Sequence, residues 1–493
     1  MVRLSASGLA LWGLVVGAPA CDGDAHAESA PTPPPAADLE TEPRAPSPAT
    51  AAAPSADAQR RAPEAPDDPP LLHLEPPPMR APVVVDPYRI TPSAPSPRIA
   101  QAYQFDAPVY RRPSAKRSIV GLVRRNTRLA VTGWTPGEGC ARSWYALTGG
   151  GFVCSSDGYN VSADPAPLRE TLQVGAPAMD QALPYRYAKL KTPAPLYFRP
   201  PTEAELASGS SAPIRELAQG AHFVAMDRTL PVGEQTLHRT VRGFYVREED
   251  LEAKPMPTMH GELLAGADAL PLAFVHVDEA ALVDPHSGAA RGTAAKFARF
   301  TIDRIGEHEG QRQVIATEGF AVAAESVRVV RPHPRPPEIG ADARWIHVNL
   351  DQQTLVAYEG DRPVLATLVS SGKAGFEPPL GVFRVHKKYT TVTMSGPDPD
   401  AGTYAVEQVP WTMYYWGSYA LHGAYWHDIF GNVRSHGCTN IPPVDARWLF
   451  HWAEPSLLPG WHAQVGLKGP WVYFTRTPTA SPTPEPSARS AAP

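Results

Sequence analysis

Proline sets the limits of what this chain can fold into. Of the 58 prolines in its 493 residues, a large share falls in two tracts, 22–99 and 477–493, mixed with Ala, Ser, Asp and Glu. Proline lacks a backbone donor, and such tracts bury too little apolar surface to offset the entropy lost on ordering. Residues 22–99 are therefore expected to form a disordered, extended Pro/Ala-rich linker and residues 477–493 a disordered tail. About 370 residues remain for folded structure, enough for several small cores. The formal net charge of −5 gives no electrostatic case for nucleic acid as a partner.

Residues 1–21 have one early cation (Arg3), an apolar run from Leu9 to Val16, and then Gly17-Ala18-Pro19-Ala20-Cys21. That is the layout of an export signal, too short to span a bilayer as a helix. Ala18-x-Ala20 before Cys21 resembles a bacterial lipoprotein signal, although Pro19 is unusual there. The resemblance implies that Cys21 is lipidated, and that the protein is exported and anchored at the periplasmic face of the cell envelope. Cys140 and Cys154 flank a Gly-rich turn between two strand-like runs, so a hairpin would bring them together as a disulfide. Cys438 is then left over, and an odd cysteine in an exported protein is often a reactive thiol.

Residues 100–170 read as all-β, with short runs at Ser118–Val123, Thr127–Val131, Trp144–Leu147 and Gly151–Val153 between Gly, Pro and Asn breaks. Their order resembles bacterial SH3-like domains. APVYRRP at 107–113 recurs as APLYFRP at 194–200, which predicts one or two further SH3-like β units over 181–335. The last would hold strands at 297–305 and 319–330. Such units either bind wall glycan or peptide, or act as a spacer and brace for the C-terminal part of the chain. RPHPRPP at 331–337 closes the section as a stiff linker.

Over 340–470 the pattern sharpens. Ile346, Val348 and Leu350 alternate with other residues, and the runs Thr354–Tyr358 and Pro363–Val369 come after tight turns, which predicts an antiparallel meander. A Ser/Gly/Pro loop then leads to a strand at Val382–His386. The aromatics of 411–426, Tyr419 among them, could line a substrate groove or fill the core. Pro443 suits the first turn of a helix that carries Val444, Trp448 and Trp452 and stops at Pro455. Gly460–Leu467 would be the final strand.

The chemistry gathers in His422–Asn440, HGAYWHDIFGNVRSHGCTN. His422, His427, His436 and Cys438 match none of the common zinc spacings, so no metal or other cofactor is expected. A nucleophile needs a thiol, a base and oxyanion donors. Cys438 supplies the thiol, and the backbone N–H groups of Gly437 and Cys438 are candidate donors. His422, at the end of a strand-like run, is favoured as the base over His436, which would hold the loop. The carbonyl of Gly423 or the hydroxyl of Ser435 could orient the imidazole, with Asp428 a weaker candidate.

His422-Gly423, eleven residues, then Ser435-His436-Gly437-Cys438-Thr439-Asn440 resembles the signature of the YkuD-type L,D-transpeptidase catalytic domain. SSGKAG and PPLGVF look like that family's earlier half. Pro378 stands where the family usually has Thr, and Asn440 where many members carry Arg. The resemblance implies a mainly β chain: SH3-like barrel units, then a β-sandwich with one short helix after the motif. It implies a cysteine enzyme that attacks the diaminopimelate carbonyl of a peptidoglycan tetrapeptide stem and expels D-Ala. The acyl group would pass to an amine on a second stem, a D-amino acid or an envelope protein. Arg434, His436, Asn440 and Tyr419 are the implied substrate or loop contacts, and carbapenems inactivate the family. The alternatives are an L,D-carboxypeptidase or endopeptidase of the same fold, and a non-catalytic wall-binding lipoprotein.

Overall fold

The computed structural model describes residues 91–92 and 98–477, apart from 117–118, 192, 218–220 and 399–401. The signal segment with Cys21, most of the Pro/Ala tract and residues 478–493 lie outside the described residues. The end of that tract departs from the linker expectation. Arg98–Ala102 is a strand, paired on one side with the strand Arg128–Thr135 and on the other with Tyr159–Ser162.

Three antiparallel β units precede the C-terminal one. The first also contains Asp106–Tyr110, Ile119–Arg124, Trp144–Leu147 and Phe152–Cys154, around Ala100, Val109, Val123, Val131 and Tyr159. A disulfide joins Cys140 to Cys154, with their Cα atoms 5.7 Å apart. The second is built on Arg186–Leu190, Ala221–Val232, Gln235–Thr240, Tyr245–Arg247 and Leu251–Ala253. It contains a short helix, α1 (Glu203–Ser208), that was not anticipated. Its signature was present: Thr202 and Glu205 form a capping box. The third is a seven-stranded sheet that includes Leu272–Val275, Arg299–His308, Gln311–Ala316 and Val327–Val330. The single run expected over 319–330 is broken by a 3-10 turn at Ala324–Ser326.

The C-terminal unit is a sandwich. β1 (Arg344–Asn349), β2 (Thr354–Glu359) and β3 (Arg362–Leu368) form the expected meander. β4 (Gly381–Arg384) joins that sheet through the last strand of the chain. The second sheet holds β5 (Lys387–Asp398), β6 (Gly402–Trp416), β7 (Tyr419–Gly423) and β8 (Thr439–Ile441). Next come helix α2 (Pro443–Trp452), β9 (Ala463–Val465) and β10 (Trp471–Thr475). β9 joins β5, and β10 runs parallel to β1 and antiparallel to β4. The final strand is thus β10, beyond the one predicted at Gly460–Leu467. Ile346, Val348, Leu355, Trp411, Leu421, Leu449 and Phe450 pack between the sheets and the helix.

The buried stripe of α2 is Asp445, Ala446, Leu449, Phe450 and Trp452; of the predicted row Val444, Trp448 and Trp452, only Trp452 belongs to it. Asp445 hides the pattern because it is a buried acid: its carboxylate accepts hydrogen bonds from the Gly261 N–H and the Thr367 hydroxyl. At the other end of α2, the buried Lys388 ammonium donates to the carbonyls of Phe450, Ala453 and Pro455 at 2.7, 2.5 and 3.2 Å. Phe450 lies in the last turn, whose carbonyls a helix end leaves without intrahelical donors, and Ala453 and Pro455 follow it.

The upstream units are joined to this sandwich by strand pairing and shared cores. β9 pairs with Ile119–Arg124, and Ala221–Phe223 runs parallel to Tyr404–Val406 of β6. Leu272, Phe274 and Val330 of the third unit pack on Trp345, Val356 and Tyr358, which occupy the outer face of the first sheet. Trp461 inserts into the core of the first unit, against Gly121. A Cβ on Gly121 would come within 2.1 Å of the Trp461 ring and 2.7 Å of the Ala463 carbonyl oxygen. Gly121→Ala is therefore expected to destabilise the protein by about 1–3 kcal/mol through overpacking. Urea unfolding measures this, and an unchanged midpoint would argue against the packing of Trp461 on Gly121.

Candidate active site

β7 and β8 run parallel, with Leu421 opposite Thr439, His422 opposite Asn440 and Gly423 opposite Ile441. Side chains opposite one another in a ladder, or two apart along one strand, share a face. The register therefore carries His422, Asn440 and Cys438 to the same side. All three line one cavity of about 450 Å³, and they are only 2%, 2% and 3% exposed.

His422 Nδ1 lies 3.2 Å from the Gly423 carbonyl oxygen. A carbonyl only accepts, so Nδ1 carries the proton and Nε2 keeps its lone pair. Burial pushes this imidazole down to about 4, with the Gly423 hydrogen bond acting weakly the other way. It is neutral at pH 7 and able to take a proton.

Cys438 Sγ sits 3.7 Å from the Ser418 carbonyl oxygen.

Two expectations change. The Ser435 hydroxyl donates to the Cys438 carbonyl at 2.5 Å and accepts from the Gly437 N–H at 3.1 Å. Ser435 thus braces the cysteine turn, not the imidazole. The Gly437 N–H, expected to face an oxyanion, is given to Ser435. The glycine is required for another reason: its φ is +127°, and a Cβ there would lie 3.0 Å from Tyr419 Cε1. Tyr419 supports that turn and is not among the residues lining the cavity.

The loop SSGK fixes the cysteine turn through main-chain bonds. Ser370 and Asn440 exchange N–H and carbonyl groups, both at 2.9 Å. The N–H groups of Arg434 and Ser435 reach the Ser371 carbonyl at 2.9 and 3.0 Å, and that of Lys373 reaches the Ser435 carbonyl at 3.0 Å. Buried Gln353 holds Ser371 in turn. Its amide oxygen accepts from the Ser371 N–H and its amide nitrogen donates to the Ser371 hydroxyl, both at 2.7 Å. Sequence reasoning took Gln353 only as a turn residue. Its two neighbouring polar residues gave no sign that its side chain is buried.

The other expected residues divide. Exposed Arg434 and half-buried His436 line the cavity. The His436 ring lies nearly parallel to Tyr404 and edge-on to Phe376, each at 5.3 Å. Asn440 pairs with His427 at 2.8 Å, a contact the sequence did not suggest. The Asp428 carboxylate accepts from the Thr258 N–H and hydroxyl, which ties the loop to an upstream segment and leaves no role as orienter of His422. Of the aromatics, Trp411, Tyr414, Tyr415 and Tyr425 are buried, Trp416 is exposed, and Trp426 lines the cavity. Among the described residues, no group of three or more His, Cys, Asp or Glu is placed to hold a metal ion.

Residues 343–470 match the family model for YkuD, the L,D-transpeptidase catalytic domain. The chain carries a YkuD-type domain. No curated protein matches the chain. Among solved structures, a mutant L,D-transpeptidase of Enterococcus faecium is similar at 25% identity, covering 30% of this chain and 55% of that one, with a TM-score of 0.23. The chain thus spans about half the length of that protein. The isolated catalytic domain from E. faecium is similar at 28% identity, covering 27% of this chain and 98% of that one, with a TM-score of 0.23. An L,D-transpeptidase from Mycobacterium smegmatis is similar at 16% identity, covering 52% and 95%, with a TM-score of 0.22.

Two outcomes are expected from this YkuD-type site. Gly437→Ala places a side chain at a φ that essentially only glycine adopts, and should lower stability by about 1–3 kcal/mol. Urea unfolding would register it, and no change would mean that the turn relaxes freely. The second outcome concerns pH. Burial pushes His347 and His427 down to about 3 and His422 and His451 to about 4, and holds His462 well below its usual range. Between those values and about 6.5 the unfolded chain binds protons that the folded one does not, so stability rises with pH. Asp445, raised to about 6, and Glu407, raised to about 7, both by burial, act with the opposite sign over that window. The histidines outnumber them. The urea midpoint should climb from about pH 4 to about pH 6.5; a flat or falling profile would contradict neutral buried imidazoles.

Proposed function

We propose that the protein is a cysteine-dependent peptidoglycan L,D-transpeptidase. The observation that carries this reading is the parallel ladder of β7 and β8, which sets His422 and Cys438 on one cavity with His422 Nδ1 held by Gly423. In the reduced protein, His422 Nε2 takes the Cys438 proton as the sulfur attacks the diaminopimelate carbonyl of a tetrapeptide stem. The tetrahedral intermediate collapses to a thioester, and the departing D-Ala amine takes the proton back from His422. An acceptor amine then attacks the thioester, His422 removes its proton, and the thiolate leaves and is reprotonated. The Cys438 N–H is the remaining main-chain candidate for the oxyanion. An exported protein anchored through lipidated Cys21 at the periplasmic face of the envelope would meet this substrate.

The test is incubation of the reduced protein with purified tetrapeptide muropeptides. Cross-linked dimers and released D-Ala are expected, with loss of both in Cys438→Ala. Tripeptide without dimers would mean that water is the acceptor and the enzyme is a hydrolase of the same fold. A carbapenem should add its mass at Cys438 of the reduced protein. The absence of both turnover and a mass shift would sink the enzymatic reading in favour of a wall-binding role.

A further inference from the structure

The cavity is not built by the YkuD-type domain alone. Arg186–Leu190 of the second upstream unit pairs with Ala221–Val232, and that strand runs parallel to β6, so one continuous sheet crosses the domain boundary. Its register sets four residues in a transverse row: Lys189 opposite Phe223, Phe223 opposite Val406, and Met394 of β5 also opposite Val406. Residues opposite one another share a face, and all four line the cavity that holds Cys438. Lys189 therefore stands roughly 10 Å, two strand spacings, beyond β6. The foreign strands are also fixed to the catalytic loop by side chains. The Tyr187 ring stacks on Tyr425 at 3.9 Å, and Phe223 meets Tyr425 and Trp426 at 6.2 and 6.3 Å.

Among the described residues the charge of this lining has one sign. Lys189, Lys373 and Arg434 contribute three cations, and no Asp or Glu is among the described lining residues. Lys189 and Lys373 are half-buried, where water screens a charge less than at an open surface. The carboxylate that faces Lys189 from its other neighbouring strand is Glu252, which is exposed, pairs with Lys254, feels the charge of Lys189 more weakly and lies outside the lining. A concave, apolar-floored site with fixed cations favours carboxylate-bearing ligands.

We propose that Lys189, supplied by the upstream β unit, forms with Lys373 and Arg434 a carboxylate-binding subsite, so that the upstream unit selects acidic peptide donors for Cys438. This rests on the transpeptidase reading for the identity of the ligand, a peptide with free carboxylates away from the attacked bond. Lys189 is a specificity residue and not part of the bond-making machinery.

The test is calorimetric titration of the full-length Cys438→Ser protein with a synthetic tetrapeptide carrying free carboxylates and with its amidated counterpart. The carboxylate form should bind about tenfold tighter, a loss or gain of one charge-assisted contact. Lys189→Gln should remove most of that preference, Lys189→Arg should keep it, and added salt should erode it. Equal binding of the two peptides, or a preference that survives in Lys189→Gln with unchanged melting, would overturn the proposal. Should Lys189→Gln melt early, the salt titration of the Cys438→Ser parent decides, and a salt-insensitive preference counts against the subsite. Preference without muropeptide turnover by the Cys438-containing protein would remove the transpeptidase reading and leave the subsite standing. Turnover without preference would do the reverse.

Discussion

The site depends on a ladder only three residues long. β7 and β8 are too short to hold themselves in register, and parallel pairing needs a long crossover between them. The crossover here is the motif loop itself, and its shape comes from outside. Ser370 and Asn440 exchange main-chain bonds on one side of β8, Ser371 takes the N–H groups of Arg434 and Ser435, and Gln353 holds Ser371. A buried backbone group without a partner is costly, so each of these bonds restricts where Cys438 can sit relative to His422. The geometry of the site is a result of main-chain accounting as much as of side-chain chemistry.

The same loop is held by the upstream units. Asp428 is bonded to Thr258, Arg328 donates to the Gly431 carbonyl at 2.7 Å, and Tyr425 stacks on Tyr187. The first sheet of the sandwich is also buried on both faces, one against its partner sheet and one against the third unit. This explains a strand such as β2, whose five buried residues in succession leave no face for water. Of the two roles open for the upstream units, bracing has direct support in these contacts, and the second unit also lines the cavity that holds Cys438.

Much of the C-terminal unit was legible. Its meander, its helix start at Pro443 and the spacing of His422 and Cys438 come from periodicity, proline chemistry and motif order. The expectations that failed did so for physical reasons. The alternation of Ile346, Val348 and Leu350 suggests a strand with one wet face, but Trp345 and His347 are buried as well. Trp345 packs under the third unit, which the local pattern of β1 does not reveal. Asp445 breaks the apolar period of α2 because its carboxylate is satisfied by residues far away in sequence. The roles expected for Ser435 and Gly437 were plausible for a loop taken alone. They changed because the Ser435 hydroxyl found nearer partners within its own turn.

The sequence by itself displayed the candidate residues and their setting: a cysteine after a glycine, a histidine sixteen positions earlier, and a mainly β chain. Those depend on residue type and local spacing, which a linear chain displays. Tertiary structure alone decided the tautomer of His422 and the arrival of Lys189 at the cavity. Each depends on groups brought together across long loops, and strand register between distant segments is set by the packing of whole faces. Local pattern cannot express that. The His422–Asn440 stretch holds the candidate residues, and the sheet that crosses the domain boundary supplies part of the cavity around them.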